Sequence, residues 1–211
     1  MSGKYIVIEG HDGTGKSTQV EKLANYLKQT YNIDSFIAHE PAGTPIADSI
    51  RNIIKNGELE RDGKTNILLF TAARHEIWCT AEQALKDGKW VISARNFLST
   101  IAYQGYGENI DIDLIYETTR NFTSEHYMNP DKTFILTADN QTRKNRIANR
   151  GELEKPDTFE SRDDDFQQRI NDGYLKIISE YNFKSIDASR TIDEIHKDII
   201  DELKNDNLFN T

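Results

Sequence analysis

The chain carries a single cysteine, Cys79, among 211 residues. No internal disulfide can form, so a disulfide-stapled secreted scaffold is excluded and a reducing, cytoplasmic setting is expected. Long apolar runs are also missing. Nothing approaches the roughly 20 consecutive apolar residues that a membrane-spanning helix needs. Met1-Ser2-Gly3-Lys4 leads directly into strand-like sequence, without a signal-peptide layout. Positive charge is in deficit, with 26 Lys and Arg against 35 Asp and Glu and a net charge of −9. Such a chain is a poor coat for nucleic acid or an anionic membrane, although a local basic pocket remains open to it. Histidine pairs with metal-ligand spacing are absent: His75-Glu76 lacks the second histidine of a zincin helix. There is no Asn-Lys-x-Asp tetrapeptide, which disfavours a guanine-specific GTPase. No internal repeat or low-complexity tract interrupts the chain.

What is present is an alternation of strand and helix. Residues 4–9 read as a buried strand ending at Gly10, and residues 34–38, 89–93, 132–137 and 183–187 read as four more. Helical periodicity covers residues 16–29, the Ile46–Ile54 stretch, residues 64–86, 140–150 and 163–181, and Ile192–Leu203. A polar helical stretch is expected after the third strand. Strands separated by helices predict an α/β fold, a three-layer α/β/α sandwich around a five-stranded parallel sheet. The length fits one domain over residues 1–211. The charge-rich segment 151–163, with Pro156, is expected to form a mobile loop.

The strongest chemical signal is Gly10-His11-Asp12-Gly13-Thr14-Gly15-Lys16-Ser17, followed by Thr18. It matches the P-loop pattern and lies between a strand and a helix, as that motif requires. Its glycines let main-chain N–H groups wrap a phosphate, and the helix start adds a positive dipole end. Lys16 reaches β- and γ-phosphates, and the Ser17 hydroxyl is the expected protein ligand of Mg²⁺. Arg95 follows a buried strand, at the carboxyl edge where open parallel sheets bind ligands. Phe70 and Arg74, four apart, share a helix face; by spacing alone the favoured reading is a core phenylalanine beside a surface arginine. Arg143, Arg146 and Arg150 form an i, i+3, i+7 stripe, either a solvated face or a lid over a nucleotide.

Five segments in order resemble thymidylate kinase: the opening KYIVIEGHDGTGKST, Glu40-Pro41-Ala42-Gly43-Thr44, Leu69–Arg74, Trp90–Gly105, and Arg150-Gly151-Glu152-Leu153. The resemblance implies phosphoryl transfer from ATP to dTMP with Mg²⁺, in a homodimer that needs neither nucleic acid nor membrane. It places Arg51 and Arg95 on the acceptor phosphate, and Glu40, Pro41 and Ser99 along the same site. It implies a thymine pocket in which Phe70 stacks, Arg74 binds an exocyclic carbonyl, Gln104 meets the imide edge and Thr100 adds a polar contact. Tyr103 would lie beside the sugar and disfavour a ribose 2′-hydroxyl. Asp12 would orient the acceptor phosphate. Arg143, Arg146 and Arg150 would belong to a helical lid over residues 143–163, supplying the catalytic cation that glycine at position 13 cannot. Three positions depart from the family pattern. Ala94 stands where an acid of the Mg²⁺ shell is expected, His39 replaces an arginine, and Ala42 replaces a glycine. Asp12, Glu9, or a lid acid such as Glu160 or Asp163 is then expected to take over from the missing acid. Two other readings remain at this point: a kinase for a different nucleoside or nucleoside monophosphate, and a catalytically weakened nucleotide sensor.

Overall fold

The computed structural model describes residues 3–149, 158–159 and 161–209. Every residue of strand β1 (Tyr5–Gly10) is buried, because this strand is central and covered on both faces. Around it stand β2 (Ser35–His39), β3 (Trp90–Ala94), β4 (Lys132–Thr137) and β5 (Lys184–Asp187), in the order β2-β3-β1-β4-β5. All four pairings are parallel. The alternation of side chains along β1 splits the core in two. Ile6 and Ile8 pack with Val20, Leu23 and Leu27 of α1 (Lys16–Tyr31) and with Ile195, Ile199 and Leu203 of α9 (Ile192–Asn205). Tyr5 and Val7 face the other layer. That layer includes α2 (Pro45–Lys55), α3 (Gly63–Lys86), α5 (Ile112–Phe122) and α8 (Asp164–Tyr181). Fully burying a side chain such as Ile6 or Ile8 stabilises the fold by about 1.5–3 kcal/mol. The result is the expected three-layer α/β/α arrangement.

Short polar side chains set the helix starts. Thr44 accepts from the Ala47 amide at 3.2 Å, with Pro45 in the first helical turn of α2. Asp62 accepts from the Thr65 amide at 2.7 Å before α3. Helix α1 runs two residues beyond the expected 29 and ends at Asn32, whose φ of 54° closes it in the left-handed region.

The stretch after β3 differs from expectation. The four-residue helix α4 (Phe97–Thr100) runs into a π-helical turn, Ile101–Gly107, which is largely buried rather than polar and exposed. Its glycines admit neighbouring helices: a Cβ at Gly107 would lie 2.7 Å from the Phe166 ring of α8. In return, a Cβ at Gly173 of α8 would lie 2.8 Å from the Tyr106 ring. Helix α6 (Glu125–Met128) and helix α7 (Asn140–Ala148) complete the chain order on either side of β4. Among the described residues, no helix is long and apolar enough to cross a membrane.

Candidate functional site

At the carboxyl end of β1 the chain must turn sharply beneath β4. Gly10 does so with φ 141°, where a Cβ would lie 2.4 Å from the Leu136 carbonyl oxygen. Gly13, at φ 85°, passes so close to α7 that a Cβ would lie 2.8 Å from the Arg143 carbonyl oxygen. The loop is tied internally: Thr14 Oγ1 and Lys16 Nζ both donate to the His11 carbonyl, at 2.8 and 3.0 Å. It opens onto a cavity of about 850 Å³. Asp12, Gly13, Gly15, Lys16, Ser17 and Thr18 line one part of the cavity, whereas Gly10, His11 and Thr14, in the same loop, do not.

Arg95 follows β3 with φ 78°, a left-handed conformation that costs a non-glycine residue about 1–3 kcal/mol. The turn sends its guanidinium to Asp12 as an ion pair and to Ser99 Oγ at 2.7 Å. Asp12 also accepts from the Tyr103 hydroxyl at 2.5 Å. Burial opposes the Asp12 charge, but Arg95, then Lys16 and the Tyr103 hydroxyl, hold its carboxyl well below the usual carboxylate range. Burial, reinforced by Asp12, pushes the Tyr103 hydroxyl well up, so it serves as a neutral donor. Beneath this group lies Glu9, fully buried. Its carboxylate accepts from the amides of Gly10, Asn96 and Ser99 and from the hydroxyls of Ser99 and Tyr174. Glu9 therefore organises the loop ends and is committed to protein donors. It does not replace the acid missing at position 94.

A different kind of wall stands further along the cavity. Arg74, expected on spacing alone as a surface charge, is only 2% exposed. Its Nε donates to Glu40 at 2.9 Å and its Nη2 to Thr100 Oγ1 at 3.2 Å. Glu40 also accepts from the Tyr127 hydroxyl at 2.8 Å. Burial raises the Glu40 carboxyl, and Arg74 and Tyr127 pull it back. Burial also disfavours the Arg74 charge, but Tyr127 and Glu40 outweigh it and keep the guanidinium charged. Beside them Gln104, 1% exposed, leaves both its amide oxygen and nitrogen without a protein partner, and Arg74 Nη1 is likewise unpaired. Phe70 lies against Phe159, with ring centroids 6.0 Å apart, and Phe159 meets Tyr103 edge-on at 5.9 Å. Pro41, which follows a cis peptide bond, and Arg51, Ser99 and Thr100 also line the cavity. Tyr127 and Phe159 carried no signal in the sequence.

The arginine stripe divides. Arg143 packs beneath the loop, donating to the Asp12 carbonyl at 3.2 Å and to Asn140 Oδ1 at 2.7 Å. Arg146 lines the cavity and donates to the Arg190 carbonyl at 3.3 Å. Arg150, Gly151, Glu152, Leu153 and Glu160, with most of segment 151–163, lie outside the described residues. Asp163 caps α8, accepting from the Phe166 amide at 2.7 Å, so it serves the helix instead of facing a metal. The described part of this segment is anchored on both sides. Thr158 Oγ1 donates to the Ile54 and Lys55 carbonyls at the end of α2, each at 3.2 Å. The Phe159 carbonyl accepts from Gln167 Nε2 at 2.8 Å, and Gln167 Oε1 accepts from His11 Nε2 at 2.9 Å. Burial, then Arg143, pushes the His11 imidazole down to about 3, so it is neutral.

A hard divalent cation takes oxygen ligands. The Ser17 hydroxyl and the Glu21 carboxylate line the cavity and offer such oxygens, whereas Asp12 is paired with Arg95 and Tyr103 and Ala94 puts only a methyl at the strand end.

Comparisons with known proteins agree with this geometry. The family described as Thymidylate kinase matches residues 8–199. A thymidylate kinase of Shewanella sp. (strain MR-4) is 36% identical over 203 residues, covering 94% of each chain. One from Halothermothrix orenii is 34% identical, covering 97% of this chain and 98% of the relative. A crystal structure of thymidylate kinase from Ehrlichia chaffeensis superposes with a TM-score of 0.74 at 30% identity, covering 96% of this chain and 99% of the other.

Proposed function

The chain belongs to the thymidylate kinase family, and from that premise we propose how its residues divide the work. The activity is transfer of a phosphoryl group from ATP to dTMP, giving dTDP and ADP and feeding dTTP synthesis. The acceptor phosphate is already largely ionised near neutral pH, with a second pKa around 6. No strong base is needed, and catalysis rests on in-line positioning and charge stabilisation.

Main-chain N–H groups of residues 11–15 and Lys16 hold the donor phosphates, with Thr18 beside them and the Gly10 amide fixed behind by Glu9. Arg95 and Arg51 hold the acceptor phosphate, a task suited to the guanidinium fork. Before that phosphate arrives, Arg95 rests on Asp12, which then orients the acceptor. Ser99 and Glu9 fix Arg95 from behind. Phe70 stacks on the thymine, while Arg74 Nη1 and the Gln104 amide pair with its carbonyl and imide edge. Glu40, with Pro41 following, aims Arg74; Thr100 completes that corner, and Tyr103 crowds a ribose 2′-hydroxyl. Arg146 and Arg150 close from the lid over segment 143–163, neutralising charge on the group in flight, and Arg143 braces the loop. Mg²⁺, when bound with ATP, screens the phosphate charge; Ser17 is the residue that would hold it.

The observation that carries this assignment is the pair of unpaired polar atoms on buried Gln104, beside the free Nη1 of Arg74. Unpaired donors and an acceptor in a buried wall suit a flat ring with an amide-like edge. The chain acts as one domain in the cytoplasm and pairs as a homodimer through the outer face of α3, where Leu68 is 62% exposed. A coupled ADP-release assay with dTMP, dUMP, dCMP and thymidine tests the assignment. dTMP is expected to be preferred, and equal rates with dCMP would displace the proposed base pocket.

A further inference from the structure

Beside Ser17 the cavity wall carries a carboxylate that the division of work above leaves unused. Glu21 follows Ser17 by four residues on α1, so the two side chains share a helix face, and both line the cavity. Facing them, β3 ends at Ala94, which pairs in register with His39 at the end of β2. Ala94 and His39 line the same cavity. His39 Nε2 lies 3.3 Å from Glu21 Oε1, so the carboxylate is drawn toward the strand ends.

Enzymes with a P-loop hold Mg²⁺ with the loop hydroxyl and an acid at a strand end. Here that strand end offers a methyl group. The other acids near it are engaged: Glu9 by Gly10, Asn96, Ser99 and Tyr174, and Asp12 by Arg95 and Tyr103. Glu21 keeps 56% of its side chain exposed, so a hydrated cation can approach it. We propose that Glu21, steered by His39, is the acid neighbour of the cation held at Ser17, a helix-borne substitute for the absent strand-end carboxylate. His39 is then a positioning residue: its ring takes the place of an arginine that would pair with Glu21 more strongly and withdraw it from the cation. This inference rests on the cavity being the site of the metal–nucleotide complex.

The test uses Mn²⁺ as a paramagnetic stand-in for Mg²⁺ and follows the free-ion EPR signal as the full-length protein is titrated in the presence of ADP. Glu21→Gln is expected to weaken Mn²⁺ binding about 10-fold or more, the usual effect of losing an outer-shell partner. Its ADP affinity in EDTA should match wild type. Adding Ala94→Asp to Glu21→Gln should restore Mn²⁺ binding, and His39→Asn should fall between wild type and Glu21→Gln. Wild-type Mn²⁺ affinity in Glu21→Gln overturns the proposal, as does an equal loss of ADP affinity in EDTA. Failure of the wild-type protein to bind ADP at all would overturn the nucleotide site itself, a result distinguishable from either.

Discussion

At its Lys16 end the cavity is a wall of main chain; at its Gln104 end it is a wall of side chains. The first is made by consecutive residues, with three glycines at positive φ and one buried lysine. Such a wall senses charge and little else, because every peptide offers the same N–H. The second draws on Glu40, Phe70, Arg74, Gln104 and Tyr127, from segments as far as 87 residues apart. In the proposed assignment it reads the identity of a ring, and it keeps buried polar atoms without a protein partner. Turnover should therefore depend most on the first wall and selectivity on the second. The second wall should also stand out in folding stability.

The largest effect should come from Lys16→Ala. Removing a charge aimed at the transferring group is expected to cut kcat by about 10²–10³-fold or more, with the circular dichroism melt close to wild type. Normal turnover in a folded variant would break the assignment of the phosphate end.

Arg74→Ala should be damaging in another way. It strands the buried Glu40 carboxylate, and breaking a buried pair from one side typically costs about 3–5 kcal/mol. Urea unfolding should register that loss, alongside a raised KM for dTMP. Gln104→Leu sharpens the contrast, because it removes polar atoms that have no protein partner. Stability in the same urea experiment should be unchanged or up to about 1 kcal/mol higher, while KM for dTMP rises at least about 10-fold. A stability loss without a KM change would mean that Gln104 serves the fold and not the base.

Arg146→Ala should lower kcat about 10-fold while ATP affinity, measured by calorimetry, changes less, as expected of a group that acts mainly on the transition state. Affinity loss with kcat untouched would make Arg146 a simple binding charge.

The smallest effect near neutral pH concerns His11. Its folded pKa of about 3 lies below the ordinary value of 6.5. The unfolded chain therefore takes up a proton that the folded chain refuses. The stability contributed is present above pH 6.5 and is lost as pH falls toward 3, at up to about 1.4 kcal/mol per pH unit. His11→Gln should remove this component: wild type and variant should differ by a constant above pH 7, and the difference should shift steadily in the variant's favour between pH 6 and 4. Parallel curves through that window would show a charged or exposed ring.

The same contrast explains what could be read from the chain before its structure. The phosphate loop is a contiguous motif between a strand and a helix, and the alternation of strands with helices marked the layers because central parallel strands are buried on both faces. Phe70 and Arg74 were legible as a pair, but whether Arg74 faces inward depends on Glu40 and Tyr127, which no local spacing reveals. The π-helical turn escaped because the stretch after the third strand reads as a polar helix, whereas its glycines admit Phe166 and its neighbours. Glu9 suggested a spare metal acid, and only its hydrogen bonds show that it is occupied.

One amide joins the two walls. Gln167 accepts a hydrogen bond from the His11 ring on one side and donates to the Phe159 carbonyl on the other, so the phosphate loop and the aromatic edge of the proposed base pocket share a strut. If a displacement at one end is carried to the other through this side chain, the two proposed substrate sites become thermodynamically linked. Whatever factor ADP imposes on the affinity for dTMP, dTMP must impose on the affinity for ADP, because the free energy around the binding cycle closes. The order in which the nucleotides arrive then changes the route to the ternary complex and leaves its stability the same.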